Sequence, residues 1–145
     1  MSCLVVDASM ALSWLLLDGE GDLSLAARNE MLKADSVWVP AHWRLEVCNS
    51  LWMAERRKRL DAAGIARAVA LFTQLSVRID PETNDHAGGE TLALSRQHTL
   101  SVYDAAYLEL ALRRGASLGS LDRPLRAIAQ TLGVPLLPKR LPSAS

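Results

Sequence analysis

Near its start the chain reads Cys3-Leu4-Val5-Val6-Asp7-Ala8-Ser9, and this stretch decides the fold. Four apolar residues in succession, two of them β-branched, predict a strand buried on both faces, as at the centre of a parallel sheet. The strand ends at Asp7. Because open α/β sheets bind ligands at the carboxyl ends of their strands, Asp7 is a candidate functional residue. The competing interpretation is that Asp7 or Ser9 only caps the following helix, predicted over residues 10–17.

Strand and helix patterns alternate along the rest of the chain. Such alternation implies right-handed crossovers and a parallel sheet covered by helices on both faces. We therefore predict an α/β fold of three layers, α/β/α, around five parallel strands. If the first and fourth strands meet at a topological switch point, Asp7 and Asp122 face each other across a crevice. Besides the first strand, strands are predicted over residues 36–39, 77–79, 116–119 and 134–137, and helices over about 22–33, 42–59, 61–75, 87–98, 100–114 and 124–132.

Length and charge narrow the class of protein. A chain of 145 residues suits a single domain, which we predict over residues 1–137, followed by a frayed tail over 138–145. Sixteen basic and sixteen acidic residues cancel. The overall charge therefore gives no argument for nucleic acid, and any RNA contact requires a local basic patch.

Cysteines and apolar runs indicate the compartment. Cys3 and Cys48 show neither Cys-x-x-Cys spacing nor companions for a zinc site, so we expect free thiols in the core of a protein from a reducing compartment. No signal-peptide pattern is present, and the apolar tract around residues 15–17 is too short to span a bilayer. These features predict a soluble cytoplasmic protein without a membrane partner.

Two further acids lie in predominantly apolar helix segments. Glu46 shares a helix face with Asn49, which is most simply a solvated face, and Asp104 could close a capping box with Ser101. If these acids gather with Asp7 and Asp122, each pair within about 5 Å repels by roughly 3 kcal/mol at an effective dielectric constant near 20. Such a group requires a bound proton or a hard divalent cation such as Mg²⁺ or Mn²⁺.

The segments around the four acids read Leu4-Val5-Val6-Asp7-Ala8-Ser9, Leu45-Glu46-Val47-Cys48-Asn49-Ser50-Leu51, Val102-Tyr103-Asp104-Ala105-Ala106-Tyr107-Leu108 and Leu118-Gly119-Ser120-Leu121-Asp122-Arg123-Pro124-Leu125. Together they resemble the four signature blocks of PIN-domain nucleases, in particular the VapC toxins of bacterial toxin–antitoxin pairs. The resemblance runs from residue 3 to about residue 137, with the blocks in the family's order and spacing. The family's usual threonine in the fourth block is serine here, Ser120, which keeps the hydroxyl.

This resemblance implies a fold and an activity. It implies a central sheet in the order 3-2-1-4-5 and a Mg²⁺- or Mn²⁺-dependent endoribonuclease, in which a metal-activated water cleaves RNA to leave a 5′-phosphate and a 3′-hydroxyl. It also implies a homodimer and a VapB-like antitoxin as partners, with Trp52 and Met53 as candidates for the antitoxin groove. The implied catalytic and metal-binding acids are Asp7, Glu46, Asp104 and Asp122, supported by Ser9, Asn49 and Ser120.

One basic run could contact RNA. Arg56, Arg57, Lys58 and Arg59 follow one another near the end of a predicted helix. Phosphate contact is one interpretation. The other is a solvated helix end, where basic residues interact favourably with the helix dipole.

Three alternative functions compete with the metal-dependent nuclease. A histidine-based ribonuclease would use His42, His86 and His98. A phospho-accepting receiver domain would use Asp7, Asp80, Ser120 and Lys139, although receivers resemble one another in an adjacent acidic pair after the first strand, and Ala8 follows Asp7 here. A PIN fold could also serve only as a binding module, against which the intact set of acids argues.

Overall fold

The sheet contains five parallel strands in the order β3-β2-β1-β4-β5, as predicted. The computed structural model describes residues 2–16 and 28–141. The strands are β1 (Cys3–Val6), β2 (Ser36–Val39), β3 (Arg78–Ile79), β4 (Ser117–Gly119) and β5 (Leu136–Leu137).

β1 is the central strand. Leu4 pairs with Val37 of β2 on one side and with Ser117 of β4 on the other. Val5 and Val6 are fully buried, which explains why this strand is apolar at every position rather than alternating. β1 and β4 therefore end side by side, and the residues that follow them meet at one edge of the sheet.

Helices cover both faces of the sheet. The helix predicted over 22–33 lies partly outside the described residues, and its described part, α2, spans residues 28–33. On one face α1, α3 and α4 contact one another, whereas α7 packs against β1, β4, α6 and α8. The other helices are α1 (Ala8–Leu15), α3 (Trp43–Arg56), α4 (Ala62–Thr73), α5 (Thr83–His86), α6 (Leu92–His98), α7 (Val102–Arg114) and α8 (Arg123–Thr131).

Local sequence signals set several helix ends. The Asp61 carboxylate accepts a hydrogen bond from the Gly64 amide at the start of α4. The Ser101 hydroxyl does the same for the Asp104 amide at the start of α7, and Gly115 ends that helix with φ of 61°. Side-chain acceptors at the N-cap and a left-handed glycine at the C-terminal end are the expected boundary signals. The placement of Asp104 in the first turn of α7 follows from them.

The predicted helix over 87–98 is wrong in both start and shape. Helical structure begins at Thr83, and a wider π-helical segment, Ala87–Thr91, joins α5 to α6. Within it Gly89 has φ of −105° and ψ of −108°, a non-helical conformation. Glycine tolerates such a conformation because it lacks a Cβ atom. The glycine pair is therefore a kink inside a helical region rather than a helix start.

The aromatic and thiol side chains divide between core and surface. Trp14 and Trp43 are buried, whereas Trp52 is 52% exposed on α3. The expectation that both cysteines lie in the core is wrong, because Cys48 is exposed and Cys3 is only partly buried. In the described part of the chain, every helix is too short or too polar to cross a membrane.

The helical spacing of Ile65, Val69, Phe72 and Leu75 in the sequence predicts that these residues form the buried stripe of α4. Phe72 is buried as predicted, and Ala68 also lies in the core, whereas Val69 is 41% exposed.

Candidate active site

Asp7 lies at the carboxyl end of β1 and begins α1. Its Oδ1 accepts hydrogen bonds from the Met10 amide at 2.9 Å and from the Ser9 hydroxyl at 2.6 Å, and its Oδ2 accepts one from the Ser120 hydroxyl. The residue is 5% exposed. Asp7 therefore caps the helix, as the competing interpretation held, and its carboxylate also lies at the switch point of the sheet.

Ser9 and Ser120 join the ends of β1 and β4. The Ser9 hydroxyl accepts a hydrogen bond from the Leu121 amide at 3.0 Å, and the Ser120 hydroxyl accepts one from the Asp122 amide at 3.0 Å. Ser120 is fully buried. Each hydroxyl thus donates a hydrogen bond to the Asp7 carboxylate and accepts one from a backbone amide of the segment over 120–122. This arrangement brings Asp122 beside Asp7.

The four candidate acids belong to one electrostatic group. Burial, with a smaller contribution from the charge of Asp122, raises the pKa of Asp7 to about 6 against the lowering effect of its hydrogen bonds. Burial also raises the pKa of Asp104, and the charges of Asp122 and Glu46 act in the same direction. Burial and the neighbouring carboxylates therefore both disfavour the ionised forms of Asp7 and Asp104.

Two side chains approach one oxygen of Glu46. The Tyr107 hydroxyl, from α7, donates a hydrogen bond to Glu46 Oε1 at 2.9 Å, and Nε2 of His42, the residue before α3, lies 2.9 Å from the same oxygen. The imidazole is not oriented for a hydrogen bond, so Tyr107 supplies the hydrogen bond at this oxygen. Burial, together with the charge of Glu46, raises the pKa of Tyr107, and the phenol therefore stays protonated as a donor.

Tyr107 and Arg126 are site residues that the sequence reasoning missed. Tyr107 lies three residues after Asp104, so it shares a face of α7 with that acid, and this spacing was the available signal. Arg126 is buried and donates to the carbonyls of Ser120 at 2.9 Å and Pro138 at 2.7 Å. Arg126 thereby fixes the backbone that carries the Ser120 hydroxyl.

The donor set suits a hard divalent cation in its chemistry. Carboxylate and hydroxyl oxygens are the ligands that Mg²⁺ and Mn²⁺ prefer, and a cation would favour the ionised forms of Asp7 and Asp104, whose pKa values are raised mainly by burial. Among the described residues, no three histidine, cysteine or acidic side chains are arranged as a metal-ligand cluster. We refer to Asp7, Glu46, Asp104 and Asp122 together as the acidic group. Asn49 lies one turn after Glu46 on α3 and is exposed.

The basic run Arg56, Arg57, Lys58 and Arg59 is exposed at the end of α3. The Arg56 guanidinium lies 5.0 Å from the centre of the Trp52 ring. Glu46 and Arg56 stand at opposite ends of α3, separated by roughly 15 Å along the helix axis at 1.5 Å per residue. The basic run is therefore near the acidic group but not part of it.

Asp80 has a structural environment. Arg113 donates to both of its carboxylate oxygens, at 2.6 Å and 3.2 Å, and Thr83 donates to it as well. Its side chain is 1% exposed. A phospho-accepting aspartate must be accessible to its phosphate donor, so this environment argues against the receiver alternative.

Comparison with known proteins agrees with the geometry. The family model described as PIN domain matches residues 4–131. The chain therefore belongs to the PIN-domain family. It is similar to Ribonuclease VapC9 of Mycobacterium tuberculosis, with 31% identity over 127 residues that cover 88% of this chain and 91% of VapC9.

Two solved structures share the fold. PAE2754 from Pyrobaculum aerophilum has a TM-score of 0.64 at 23% identity, covering 87% of this chain and 78% of that chain. VapBC2 from Rickettsia felis, solved bound to a DNA fragment from their promoter, has a TM-score of 0.62 at 9% identity, covering 92% of this chain and 96% of that chain.

Proposed function

We propose that this protein is a metal-dependent endoribonuclease and the toxin of a toxin–antitoxin pair. The observation that carries the proposal is the buried Asp7 at the carboxyl end of the central strand, oriented by Ser9 and Ser120, in the field of Asp122. The name Ribonuclease VapC9, printed for a relative that matches 88% of the chain, supports RNA as the substrate.

The chain's own residues supply orientation and negative charge. Asp7, Asp104, Asp122 and Glu46 would hold one or more Mg²⁺ or Mn²⁺ ions, with Asp7 locked by Ser9 and Ser120. When bound, such an ion lowers the pKa of a water and stabilises charge on phosphate oxygens. Water oxygen bonds to phosphorus and the P–O3′ bond breaks, so the products carry a 5′-phosphate and a 3′-hydroxyl. No histidine or serine nucleophile is required.

The similarity to solved structures also supports a proposal about protein partners. The pair name VapBC2 on a protein of the same fold supports a VapB-like antitoxin as partner. Trp52 and the partly buried Met53 lie on α3, which also carries Glu46, and they remain our candidates for the antitoxin groove. We also propose a homodimer acting on RNA in the cytoplasm.

RNA cleavage by the purified protein tests the proposal. We expect cleavage with Mg²⁺ or Mn²⁺, its loss in EDTA, and at least a 100-fold lower rate for Asp104→Asn, whose side chain keeps its size but loses its charge. Glu30→Gln is the matched control, because this exposed acid lies in α2, and α2 enters β2 at the amino ends of the strands. End labelling of the products shows whether the phosphate stays on the 5′ end or the 3′ end at the cleavage site.

Three outcomes would contradict the proposal. A folded Asp104→Asn variant that cuts at the wild-type rate removes the acid assignment. Cleavage that survives EDTA and leaves 2′,3′-cyclic ends favours histidine chemistry. RNA binding without cleavage at any metal concentration favours the binding-module alternative.

A further inference from the structure

The Glu46 carboxylate is restrained asymmetrically. Among the described residues, its hydrogen bond from Tyr107 and the close approach of His42 Nε2, at 2.9 Å, both fall on Oε1. The side chain of Glu46 is 33% exposed. A partly exposed glutamate normally samples several rotamers, and holding one rotamer has an entropic cost. Two contacts on one oxygen reduce that freedom and leave Oε2 available to another ligand.

Tyr107 is placed to impose this restraint. It is 1% exposed in the described structure, and its ring packs edge-on against the His42 ring with centroids 5.3 Å apart. The packed ring fixes the position of the hydroxyl, and the hydroxyl donates to a carboxylate 61 residues away on another helix. The buried ring of Tyr107 thus places its hydroxyl beside the acidic group.

We propose that Tyr107 is a positioning residue, which restrains Glu46 through Oε1 and leaves Oε2 as the oxygen that would serve as a ligand to a divalent cation held by the acidic group. This inference rests on the proposed function, because it takes Glu46 as a metal ligand. Groups that orient metal ligands through hydrogen bonds typically contribute 10- to 100-fold to metal affinity. Tyr107 itself does not contact the cation or the RNA.

A purely structural role gives a different expectation. α3 and α7 carry the two partners, so the hydrogen bond could serve only to join these helices. In that case loss of the hydroxyl lowers the free energy of unfolding and leaves metal affinity unchanged. Metal binding without RNA, measured beside thermal stability, separates the two roles.

The test variant is Tyr107→Phe, which removes the hydroxyl and keeps the ring. Electron paramagnetic resonance of free Mn²⁺ titrated with protein, in the absence of RNA, measures affinity directly. We expect Mn²⁺ affinity to fall at least 10-fold with a small change in Tm. Tyr103→Phe is the matched control, because Tyr103 lies on the same helix and also contacts the His42 ring but is 64% exposed.

A double-mutant cycle tests whether Tyr107 acts through Glu46. In a Glu46→Gln background, Tyr107→Phe should cause no further loss of Mn²⁺ affinity, since the oriented carboxylate is already gone. Under saturating metal we expect Tyr107→Phe to approach the wild-type cleavage rate with an unchanged KM for RNA.

The results distinguish this inference from the proposed function. If Tyr107→Phe binds Mn²⁺ as the wild type does while Asp104→Asn and Glu46→Gln bind it weakly, the positioning role is overturned and the metal-dependent nuclease stands. If Asp104→Asn and Glu46→Gln also bind Mn²⁺ as the wild type does, the acidic group is not the metal site and both proposals fall.

Discussion

Asp7 combines two demands that compete at one side chain. Its carboxylate caps α1 through the Met10 amide and is buried at the edge of the sheet, so its ionisation has an energetic cost that its hydrogen bonds only partly offset. The cost is visible as a pKa raised by burial to about 6. Under the proposed function, a bound cation would offset this cost, which the metal-free protein carries uncompensated.

Asp7→Asn should stabilise the metal-free protein at pH 7.5. A pKa raised from 3.8 to about 6 means that the folded state holds this proton more tightly than the unfolded chain does. Stability from this group is therefore lost as pH rises from about 4 to 6, and at pH 7.5 ionised Asp7 costs roughly 2 to 3 kcal/mol. Asparagine keeps the cap without that charge.

Urea unfolding at pH 4.5 and pH 7.5, with EDTA present, measures this effect. We expect the variant to lose less stability than the wild type between the two pH values. An Asp7→Asn protein that is less stable than the wild type at pH 7.5 would show that the carboxylate charge is already balanced within the chain.

Residue positions at strand ends were predictable, whereas contacts between distant side chains were not. Asp7 and Asp122 follow apolar runs directly, and a sequence pattern indicates where such runs end. The Tyr107 hydroxyl donates a hydrogen bond to Glu46, which lies 61 positions away in the sequence. The Arg126 guanidinium donates one to the backbone carbonyl of Pro138. Such contacts depend on how two helices or loops pack, which no local pattern contains.

At the scale of elements, an ion-pair network ties the edge of the sheet to α7. Arg113 in the last turn of α7 binds Asp80, which follows β3, and also Glu109 one turn earlier on its own helix. Both acids are buried. α7 carries Asp104 and Tyr107 at its other end, so this network holds the helix that presents them.

Arg113→Met should destabilise the fold by roughly 3 to 5 kcal/mol at neutral pH, because it removes the cation that pairs with two buried carboxylates. Asp80 would keep only the longer contact with Arg114, whose Nη2 lies 3.8 Å from Asp80 Oδ1. Burial would raise the pKa of Asp80, but hydrogen bonds from Arg113, Glu82 and Thr83 outweigh it and lower that pKa. The stabilisation from Asp80 is therefore present above the unfolded pKa and is lost as pH falls through the folded one. The effect of the substitution should shrink in acid.

Chemical denaturation of Arg113→Met beside Arg67→Met provides the measurement. Arg67 is exposed on α4, so its replacement should change the free energy of unfolding by less than about 0.5 kcal/mol. Equal effects of the two substitutions would show that the network contributes no net stability.

Element boundaries followed the sequence where a cap or a glycine stop marks them. α7 begins after Ser101 and ends at Gly115, as predicted. The π-helical segment at Ala87–Thr91 was not predicted. Two consecutive glycines, Gly88 and Gly89, usually mark a helix boundary, whereas here they lie within a continuous helical region. Helix packing, rather than propensity, decided that outcome.

At the scale of the whole molecule, charge is balanced overall but separated locally. The formal net charge is zero, yet one end of α3 carries the acidic Glu46 and the other the basic run. Under the proposed function, an RNA strand crossing the acidic group would require a cation there and would gain phosphate contacts at the basic run. Non-specific RNA affinity should therefore depend mainly on the few positive charges of the basic run.

Replacing Arg57 and Lys58 together by glutamine should weaken RNA binding and flatten its salt dependence. Loss of two phosphate contacts lowers the slope of log K against log salt by roughly 1.4 for single strands. Fluorescence anisotropy with a labelled oligonucleotide and Asp104→Asn protein, which prevents cleavage, measures it. The exposed pair Arg67 and Arg96 is the control. An unchanged slope for Arg57→Gln with Lys58→Gln would assign the run to a solvated helix end.

The pairing of β1 with β4 has a consequence for synthesis. The Ser120 hydroxyl that holds Asp7 is 113 positions later in the chain, and β4 itself must insert beside the first strand before the two ends meet. A polypeptide growing from its amino terminus therefore lacks the assembled acidic group until β4 and the segment over 120–122 have been made. The proposed nuclease activity should accordingly be absent from a nascent chain that stops before β4.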